Sequence, residues 1–257
     1  MSEQLPQNAP ERPEERVDLH QLLTYENPKL AQYLDVIKGE FAKKRHQYGQ
    51  DFSHSWLPVF YDRDRKCTER FQPADYKKVL PYLQDRLQEG LLIDLGGNLS
   101  KSGTIVQLAK KCGARVYINV DTDYVPENAP VGEKYNPYVG KKREEKEYSL
   151  LSEEENKRIM EAIDVQADIL NFIARLPDNS ANFTLNGIDS HIIETGAYWD
   201  ALEQEITRTA KIGGVIFGYG SEMMFLHHNP KWKSVGEELE FDDGSTYIQQ
   251  EIFERVA

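Results

Sequence analysis

The stretch that decides the fold is LLIDLGGNLSKSGTIVQLAKKCGARVYINVD, residues 91–121. An apolar run ends on the glycine pair Gly96-Gly97, a segment with helical spacing follows, and a second apolar run ends on Asp121. This order of strand, glycine-rich turn, helix, strand and acid predicts a βαβ unit. Glycines let the backbone approach a ligand closely, and a carboxylate at the end of the second strand can accept hydrogen bonds from both hydroxyls of a ribose. The stretch therefore predicts a site for a nucleoside-like ligand.

Further apolar runs alternate with helical segments toward the end of the chain. A short strand is predicted to reach Asp168, and further strands are predicted at 181–185 and 215–219. Such alternation predicts an α/β fold with a mostly parallel sheet covered by helices on both faces. Two final strands, at 237–241 and 247–256, are joined by Asp243-Gly244, which predicts a terminal hairpin and an antiparallel strand. The sequence thus predicts seven strands.

The segment between Asp121 and the third strand is predicted to be a surface loop, since it is rich in proline and glycine. The charge run Lys141–Lys146 is interpreted as solvated. Ser152 and Glu155 have the spacing of a capping box, which predicts a helix from there to about Ile163.

The first third of the chain divides into a polar tail and a helical region. Residues 1–16 are too polar and proline-rich to order themselves and are predicted to be disordered. Residues 17–90 are predicted to be mostly helical, with a bend or restart at Pro81. Aromatic and charged residues mix in 48–71, which is compatible with a lid over the ligand site and equally with helices packed on a sheet edge. The predicted division is a tail, a helical cap or lid, and a nucleotide-binding-like domain at 91–257.

Composition limits the partners. The chain has 257 residues and a net charge of −12, which argues against a nucleic-acid backbone as the main partner because phosphate binding needs a basic face. Two cysteines provide neither a disulfide framework nor a metal site. Without a signal peptide or an apolar run near 18 residues, a cytoplasmic protein with no membrane partner is expected. The sequence leaves the oligomeric state open.

Several predicted strands end on residues suited to a ligand. The turn after Leu95, and also Asp121, Asp168 and Asn186, lie at the carboxyl ends of predicted strands. Ligands of open α/β sheets bind beyond these ends.

From these motifs the chain resembles the class I S-adenosylmethionine-dependent methyltransferases over residues 91–257. The first family motif, acid-x-Gly-x-Gly-x-Gly, is matched at Asp94 and Gly96, but its later glycines are replaced by Asn98 and Ser100. The acid ending the second strand is similar to Asp121 in INVD. Two further similarities follow, in ADILNFIARLPDNSANFTLNG and in TAKIGGVIFG, and the terminal hairpin corresponds to the family's antiparallel seventh strand. The resemblance implies a three-layer Rossmann-like sandwich.

The resemblance also implies a binding site for S-adenosyl-L-methionine. The backbone of Gly96 and Gly97 would lie under its methionine part, with Asn98 in the place of the next glycine. Asp94 would hold the ammonium group, and Asp121 would bind the ribose hydroxyls.

The remaining cofactor contacts implied by the resemblance come from three later segments. Thr122 would sit near the adenosine edge. Asp168 and Ile169 would meet the adenine, Asp168 through the exocyclic amine. Asn186 and Gly187 would form the floor of the site near the methyl donor.

Methyl transfer requires alignment and, for some nucleophiles, a base. Asp189 and His191, near the end of the fourth predicted strand, are the candidates for a base. Base-modifying nucleic-acid methyltransferases carry [Asp/Asn]-Pro-Pro-[Tyr/Phe] after this strand, whereas this chain has 186-NGID-189. Together with the acidic net charge, this favours a small molecule or a protein side chain over nucleic acid, and the expected substrate is a small molecule methylated on oxygen or nitrogen.

Two other functions remain open at this point. A NAD(P)-dependent oxidoreductase shares the strand-turn-helix-strand-acid order, but its G-x-G-x-x-G motif is missing. The replaced glycines favour a non-catalytic, methyltransferase-like scaffold. Structural roles for the acids are also open: Asp94 as a partner of a helix terminus, and Asp121 as the cap of a strand.

Overall fold

A computed structural model of the chain describes residues 17–48, 73–96, 103–121, 140–142, 151–185, 196–219, 223–235 and 250–257. The strands are β1 (Leu91–Leu95), β2 (Val116–Asp121), β3 (Gly140–Lys142), β4 (Glu161–Gln166), β5 (Asn182–Leu185), β6 (Val215–Tyr219), β7 (Trp232–Ser234) and β8 (Gln250–Arg255). The helices are α1 (Leu19–Leu22), α2 (Leu30–Tyr48), α3 (Pro73–Leu87), α4 (Gly103–Lys111), α5 (Glu153–Asn156), α6 (Ile169–Ile173) and α7 (Gly196–Thr209), with a short 3-10 helix at Met224–Leu226.

One eight-stranded sheet organises the described chain, in the order β3-β4-β2-β1-β5-β6-β8-β7. The five strands β4, β2, β1, β5 and β6 are parallel, while β3, β7 and β8 run antiparallel to their neighbours. The centre of the sheet follows the doubly wound order, with β1 in the middle. After β4 the chain crosses to the other half of the sheet, so the strand order reverses between the neighbouring strands β1 and β5. The predicted α/β fold, with a mostly parallel sheet and an antiparallel last strand, is confirmed.

The last strand, β8, pairs with a strand that was not predicted. β7 lies at Trp232–Ser234 and pairs with β8, with Trp232 opposite Arg255 and Ser234 opposite Phe253. The predicted strand at 237–241 and the turn at Asp243-Gly244 lie outside the described residues.

The prediction was wrong between Ser152 and Gln166. Ser152 and Glu155 do form a capping box, but α5 ends at Asn156 and residues 161–166 form β4. The capping box determines only where a helix begins. As part of β4, Ala162, Ile163 and Val165 are buried beside β2, and burial of apolar side chains in the sheet favours the strand.

A strand also lies inside the predicted surface loop. β3 pairs antiparallel with β4 and adds an eighth strand at the edge of the sheet. It includes Lys141 and Lys142, which were interpreted as part of a solvated charge run.

Alternating side chains of the strands pack against two helical layers. Ile93, Ile118 and Phe183 face one layer, which includes α2, α6 and α7. Leu92 and Tyr117 face the other layer, formed by α3 and α4. Successive side chains of a strand point to opposite faces of the sheet, so each face packs against one helical layer. The result is the predicted three-layer sandwich.

The helices before β1 contribute to both layers. Tyr33, Leu34 and Ile37 of α2 are buried against the α6 and α7 side. Contrary to the expected restart, α3 contains Pro81 in its interior and continues to Leu87. Apart from Tyr48, the segment with the lid prediction, 48–71, lies outside the described residues, so the division into cap and domain stays a prediction.

A buried carboxylate anchors the start of α2. Glu205 of α7 accepts hydrogen bonds from Tyr33 Oη at 2.8 Å, Asn27 Nδ2 at 3.0 Å and Arg208 Nε at 2.8 Å. This anchor lies at the amino ends of the parallel strands.

Among the described helices, none has the length and apolar character needed to cross a membrane.

Candidate functional site

The turn after β1 has a backbone conformation that favours glycine. Gly96 has a φ of 79°, in the left-handed region, and its N–H donates to Val120 O at 2.9 Å. A side chain at this position would strain the turn. The predicted close approach of backbone to ligand therefore has a structural basis at Gly96, while Gly97 and Asn98 lie outside the described residues.

Asp94 is fully buried on the α4 side of the sheet. The hydroxyl of Tyr117 on β2 donates to Asp94 Oδ2 at 2.6 Å. Tyr117 is also fully buried. A short hydrogen bond to a buried carboxylate holds it in one orientation.

Two buried polar atoms beside Asp94 have no hydrogen-bond partner. Asn119 and Thr184 lie directly beside Asp94 on the adjacent strands, in register. Asn119 Nδ2 donates to Asp164 Oδ1 at 3.1 Å, but Asn119 Oδ1 and Thr184 Oγ1 are unsatisfied. Buried polar atoms normally have a hydrogen-bond partner. A polar group of a ligand, or an ordered water, could supply the missing partner of these two atoms. The residues present thus fit a polar group bound above Asp94.

Asp121 is the last residue of β2 and is partly buried. Since Leu95 pairs with Val120, Asp121 is level with Gly96 on the neighbouring strand. The segment after β4 meets it there, because Ala167 N donates to Asp121 O at 3.0 Å. Asp121 therefore lies beside the glycine turn, as an acid that binds a ribose would require.

Asp168 lies two residues beyond β4, although the third strand was predicted to reach it, and caps α6. Its Oδ1 accepts from Asn171 N at 2.8 Å, and its Oδ2 accepts from the Tyr198 hydroxyl at 2.7 Å. Asp168 is 6% exposed and Ile169 is 8% exposed. Capping of α6 explains part of the sequence signal at Asp168.

The structure brings together four predicted residues from three neighbouring strands: Asp94 and Gly96 of β1, Asp121 of β2 and Asp168 after β4. They share the carboxyl edge of the sheet, beside the crossing point between β1 and β5. Their ligand roles stay predictions. Ile169 follows Asp168 as the first residue of α6 and is buried. The remaining predicted site residues lie outside the described residues: Gly97, Asn98, Thr122, Asn186, Gly187, Asp189 and His191.

Sequence reasoning missed the polar side chains that support the acids. The period of two along β2 places Tyr117 and Asn119 on the face of Asp94 once the register is known, so a partial signal was present. Tyr198 had no such signal, because its contact with Asp168 joins residues 30 positions apart.

His227 and His228 are exposed, and His227 packs edge-on against Phe253 at 5.0 Å.

A cavity of about 500 Å³ lies at the other end of the sheet, near the anchor of α2. Arg208 lines it but is paired with Asp178 and Glu205, each at 2.6 Å. Because this cavity is at the amino ends of the strands, it is not the predicted ligand site. In the described ranges, no three histidine, cysteine, aspartate or glutamate residues are grouped as a metal site would need.

Comparison with known proteins gives structural similarity alone. A scan against models of protein families finds no match, and neither does a search of curated proteins. Among solved structures, an rRNA methylase from Streptococcus thermophilus is 12% identical, with a TM-score of 0.38 over 70% of this chain and 95% of that one. SMU.1697c from Streptococcus mutans, assigned as a methyltransferase and solved in complex with SAH, is 13% identical, with a TM-score of 0.41 over 71% of this chain and 98% of that one. At this level of similarity, the fold assignment rests on the strand order of this chain.

Proposed function

We propose that the protein is an S-adenosyl-L-methionine-dependent methyltransferase that methylates an oxygen or nitrogen of a small molecule. The observation that supports this most is the meeting of the Gly96 turn and Asp121 at the carboxyl edge, beside the crossing point of the sheet. A nucleoside-bearing cofactor needs close backbone approach and a carboxylate for its ribose, and both are at this edge.

The proposed cofactor contacts follow from the placement of the acids. Asp121 would accept hydrogen bonds from the ribose hydroxyls. Asp94 would hold the ammonium group, directly or through water completing the row with Asn119 and Thr184. Asp168 would accept a hydrogen bond from the exocyclic amine of adenine, with Ile169 beside the ring.

The cofactor supplies an activated methyl group for in-line transfer. The protein's part is to hold the nucleophile in line and, for a hydroxyl or an ammonium, to take its proton. We propose Asp189 and His191 for this proton transfer, with Thr122, Asn186 and Gly187 completing the site.

A small-molecule substrate is supported by the net charge of −12 and by the sequence Asn186-Gly187-Ile188-Asp189 after β5. The test is to incubate the protein and methyl-labelled cofactor separately with a metabolite extract, total RNA and a protein extract. Label in small molecules alone is expected. Label in RNA would overturn the substrate class.

A non-catalytic scaffold is the second candidate, favoured by Asn98 and Ser100 in the places of two glycines. Cofactor binding without label transfer to any of the three fractions would favour this function. A variant Asn98→Gly then separates the two cases, because restored transfer would show that the replaced glycine limits catalysis.

A further inference from the structure

The cavity at the amino edge of the sheet is lined by polar and charged side chains. Its volume of about 500 Å³ is in the range of sites for small molecules, about 300–1,000 Å³. Five segments that are far apart in the sequence form it: the residues before α2, the turn before β5, α7, the residues before β7 and the end of β8. Among the described residues that line it, Pro28 alone has no polar side chain. Such a lining suits a polar ligand.

Arg255 lines this cavity and is 7% exposed. Its Nε donates to Ala257 O at 2.9 Å. Its Nη1 donates to Asn179 Oδ1 at 2.8 Å and to the carbonyl oxygens of Arg208 and Ala210. Its Nη2 has no hydrogen-bond partner among the described residues, yet it is not one of the buried atoms sealed from solvent. Nη2 is therefore the nitrogen of this guanidinium that is left to donate to a ligand.

The two arginines of the cavity differ in how their charges are compensated. Burial acts to lower the pKa of Arg208, but hydrogen bonds to Asp178 and Glu205 raise that pKa overall. Burial lowers the pKa of Arg255, and the charge of Asp178 acts in the opposite direction without reversing the shift. In the described part of the chain, no aspartate or glutamate side chain forms an ion pair with Arg255.

Lys231 places a second cation next to Arg255. The two residues lie on neighbouring strands, since Val256 N donates to Lys231 O at 2.8 Å and Trp232 pairs with Arg255. Lys231 is exposed, lines the cavity, and its ammonium group has no partner among the residues that the structure describes. Two cations without an ion-pair partner therefore lie together in a chain whose net charge is −12.

The carboxylates of the lining are engaged elsewhere. Asp178 and Glu205 bind Arg208, each at 2.6 Å. Glu203 Oε1 accepts a hydrogen bond from Asn229 Nδ2 at 2.9 Å. The positive charge near β7 and β8 is thus available to an anion from solution.

We propose that this cavity binds the phosphate group of a small polar molecule, held by Nη2 of Arg255 and the ammonium group of Lys231. A phosphate monoester carries a charge of about −1.5 to −2 at pH 7, which matches two cations better than a single carboxylate does. The amide side chains of the lining suit the hydroxyl groups of such a molecule. This site is separate from the carboxyl edge and does not depend on the proposed methyl transfer.

The test is to titrate ¹⁵N-labelled protein with glycerol 3-phosphate, inorganic phosphate, acetate and glycerol, at an ionic strength held constant with sodium chloride. Glycerol 3-phosphate and phosphate should shift the amide signals of Asn179 and Arg255 until they saturate. Two hydrogen bonds between charged groups support a dissociation constant of about a millimolar or lower. Acetate should bind at least about tenfold more weakly because of its lower charge, and glycerol should cause no shifts.

Lys231→Gln is the main variant, because its side chain has no described partner whose loss would unfold the protein. It should weaken the binding of glycerol 3-phosphate about tenfold or more, since a hydrogen bond between charged groups is lost. Lys157→Gln is the matched control: it makes the same change of charge at an exposed lysine between α5 and β4, which does not line the cavity. The affinity of this control should equal that of wild-type protein.

The titrations can overturn the inference in three ways. Shifts that fail to saturate, or an affinity that is equal in Lys231→Gln and Lys157→Gln, would show that the two cations form no site. Equal affinity for acetate would reject the phosphate group. Binding of inorganic phosphate without glycerol 3-phosphate would leave a site for a free anion only. Because binding of S-adenosylhomocysteine at the carboxyl edge is measured separately, failure of either site is distinguishable from failure of the other.

Discussion

Asp94 and Asp168 are both held by a tyrosine hydroxyl from a neighbouring element. Tyr117 contacts Asp94 at 2.6 Å and Tyr198 contacts Asp168 at 2.7 Å, and all four side chains are buried. Each carboxylate is therefore oriented before a ligand arrives, which lowers the entropy that binding must overcome.

The Tyr117 hydroxyl is expected to contribute to both stability and binding. Because it donates to a buried carboxylate, Tyr117→Phe should lower the free energy of unfolding by about 1.5–3 kcal/mol. Urea unfolding measures this change, and calorimetry with S-adenosylhomocysteine should show weaker binding. An unchanged stability would mean that Asp94 finds another donor and that Tyr117 does not position it.

Cys112 is expected to be inert in the folded protein. Burial raises the pKa of its thiol from 9.0 to about 12, so the reactive thiolate is scarce at pH 8. In a Cys67→Ser background, iodoacetamide should modify Cys112 only after unfolding. The raised pKa stabilises the fold fully below pH 9.0, and this contribution is lost as the pH rises toward 12. Fast modification of the native protein at pH 8 would contradict the burial.

At the level of residues, the positions of the acids at the strand ends could be predicted, whereas Tyr117 could be predicted only in part and Tyr198 not at all. Asp94 and Asp121 were found because strand ends and glycines are local signals. The hydroxyl of Tyr198 reaches Asp168 only after α7 has packed beside α6, which no spacing along the chain reveals. The loop residues from Gly97 onward and the candidate base His191 stay predictions.

At the level of elements, the prediction was good where the apolar run was continuous. β1 and β6 have the predicted limits, Leu91–Leu95 and Val215–Tyr219. It failed at the start of β4, where Ala162 and Ile163 were assigned to the helix that the preceding capping box favoured. Short amphipathic segments are ambiguous between helix and strand until a partner strand is known.

The close contact of β5 and β6 depends on Gly218. A side chain there would clash with the backbone carbonyl of Leu185 on β5. Gly218→Ala should therefore destabilise the protein by about 1–3 kcal/mol in urea unfolding, since the two strands must move apart. It should also weaken cofactor binding, because β5 ends beside the proposed site.

Gly39→Ala is the matched control for this prediction. Gly39 is exposed within α2 and has nothing within 4 Å of an added methyl group. Alanine should stabilise this helix by about 0.5–1 kcal/mol. If both substitutions had the same effect, the close packing of Gly218 would not limit the sheet.

At the level of the whole molecule, the two ends of the sheet differ in how their charged and polar groups are paired. The carboxyl edge gathers Asp94, Gly96, Asp121 and Asp168 near two unsatisfied buried atoms. At the amino edge, the charges are paired among themselves around Glu205 and Arg208 and serve to anchor α2. This contrast places the proposed chemistry at one end and structural support at the other.

The most direct test of the proposed cofactor site is calorimetry with S-adenosylmethionine, S-adenosylhomocysteine and NADH on wild-type protein, Asp121→Ala and Asp35→Ala. Asp35 is an exposed control on α2. We expect micromolar binding of the first two ligands, no binding of NADH, and unchanged affinity in the control. Asp121→Ala should weaken binding by roughly a hundredfold or more, because two hydrogen bonds to a charged group are lost. No binding at millimolar ligand, or equal binding by the Asp121 variant, would contradict the proposed site.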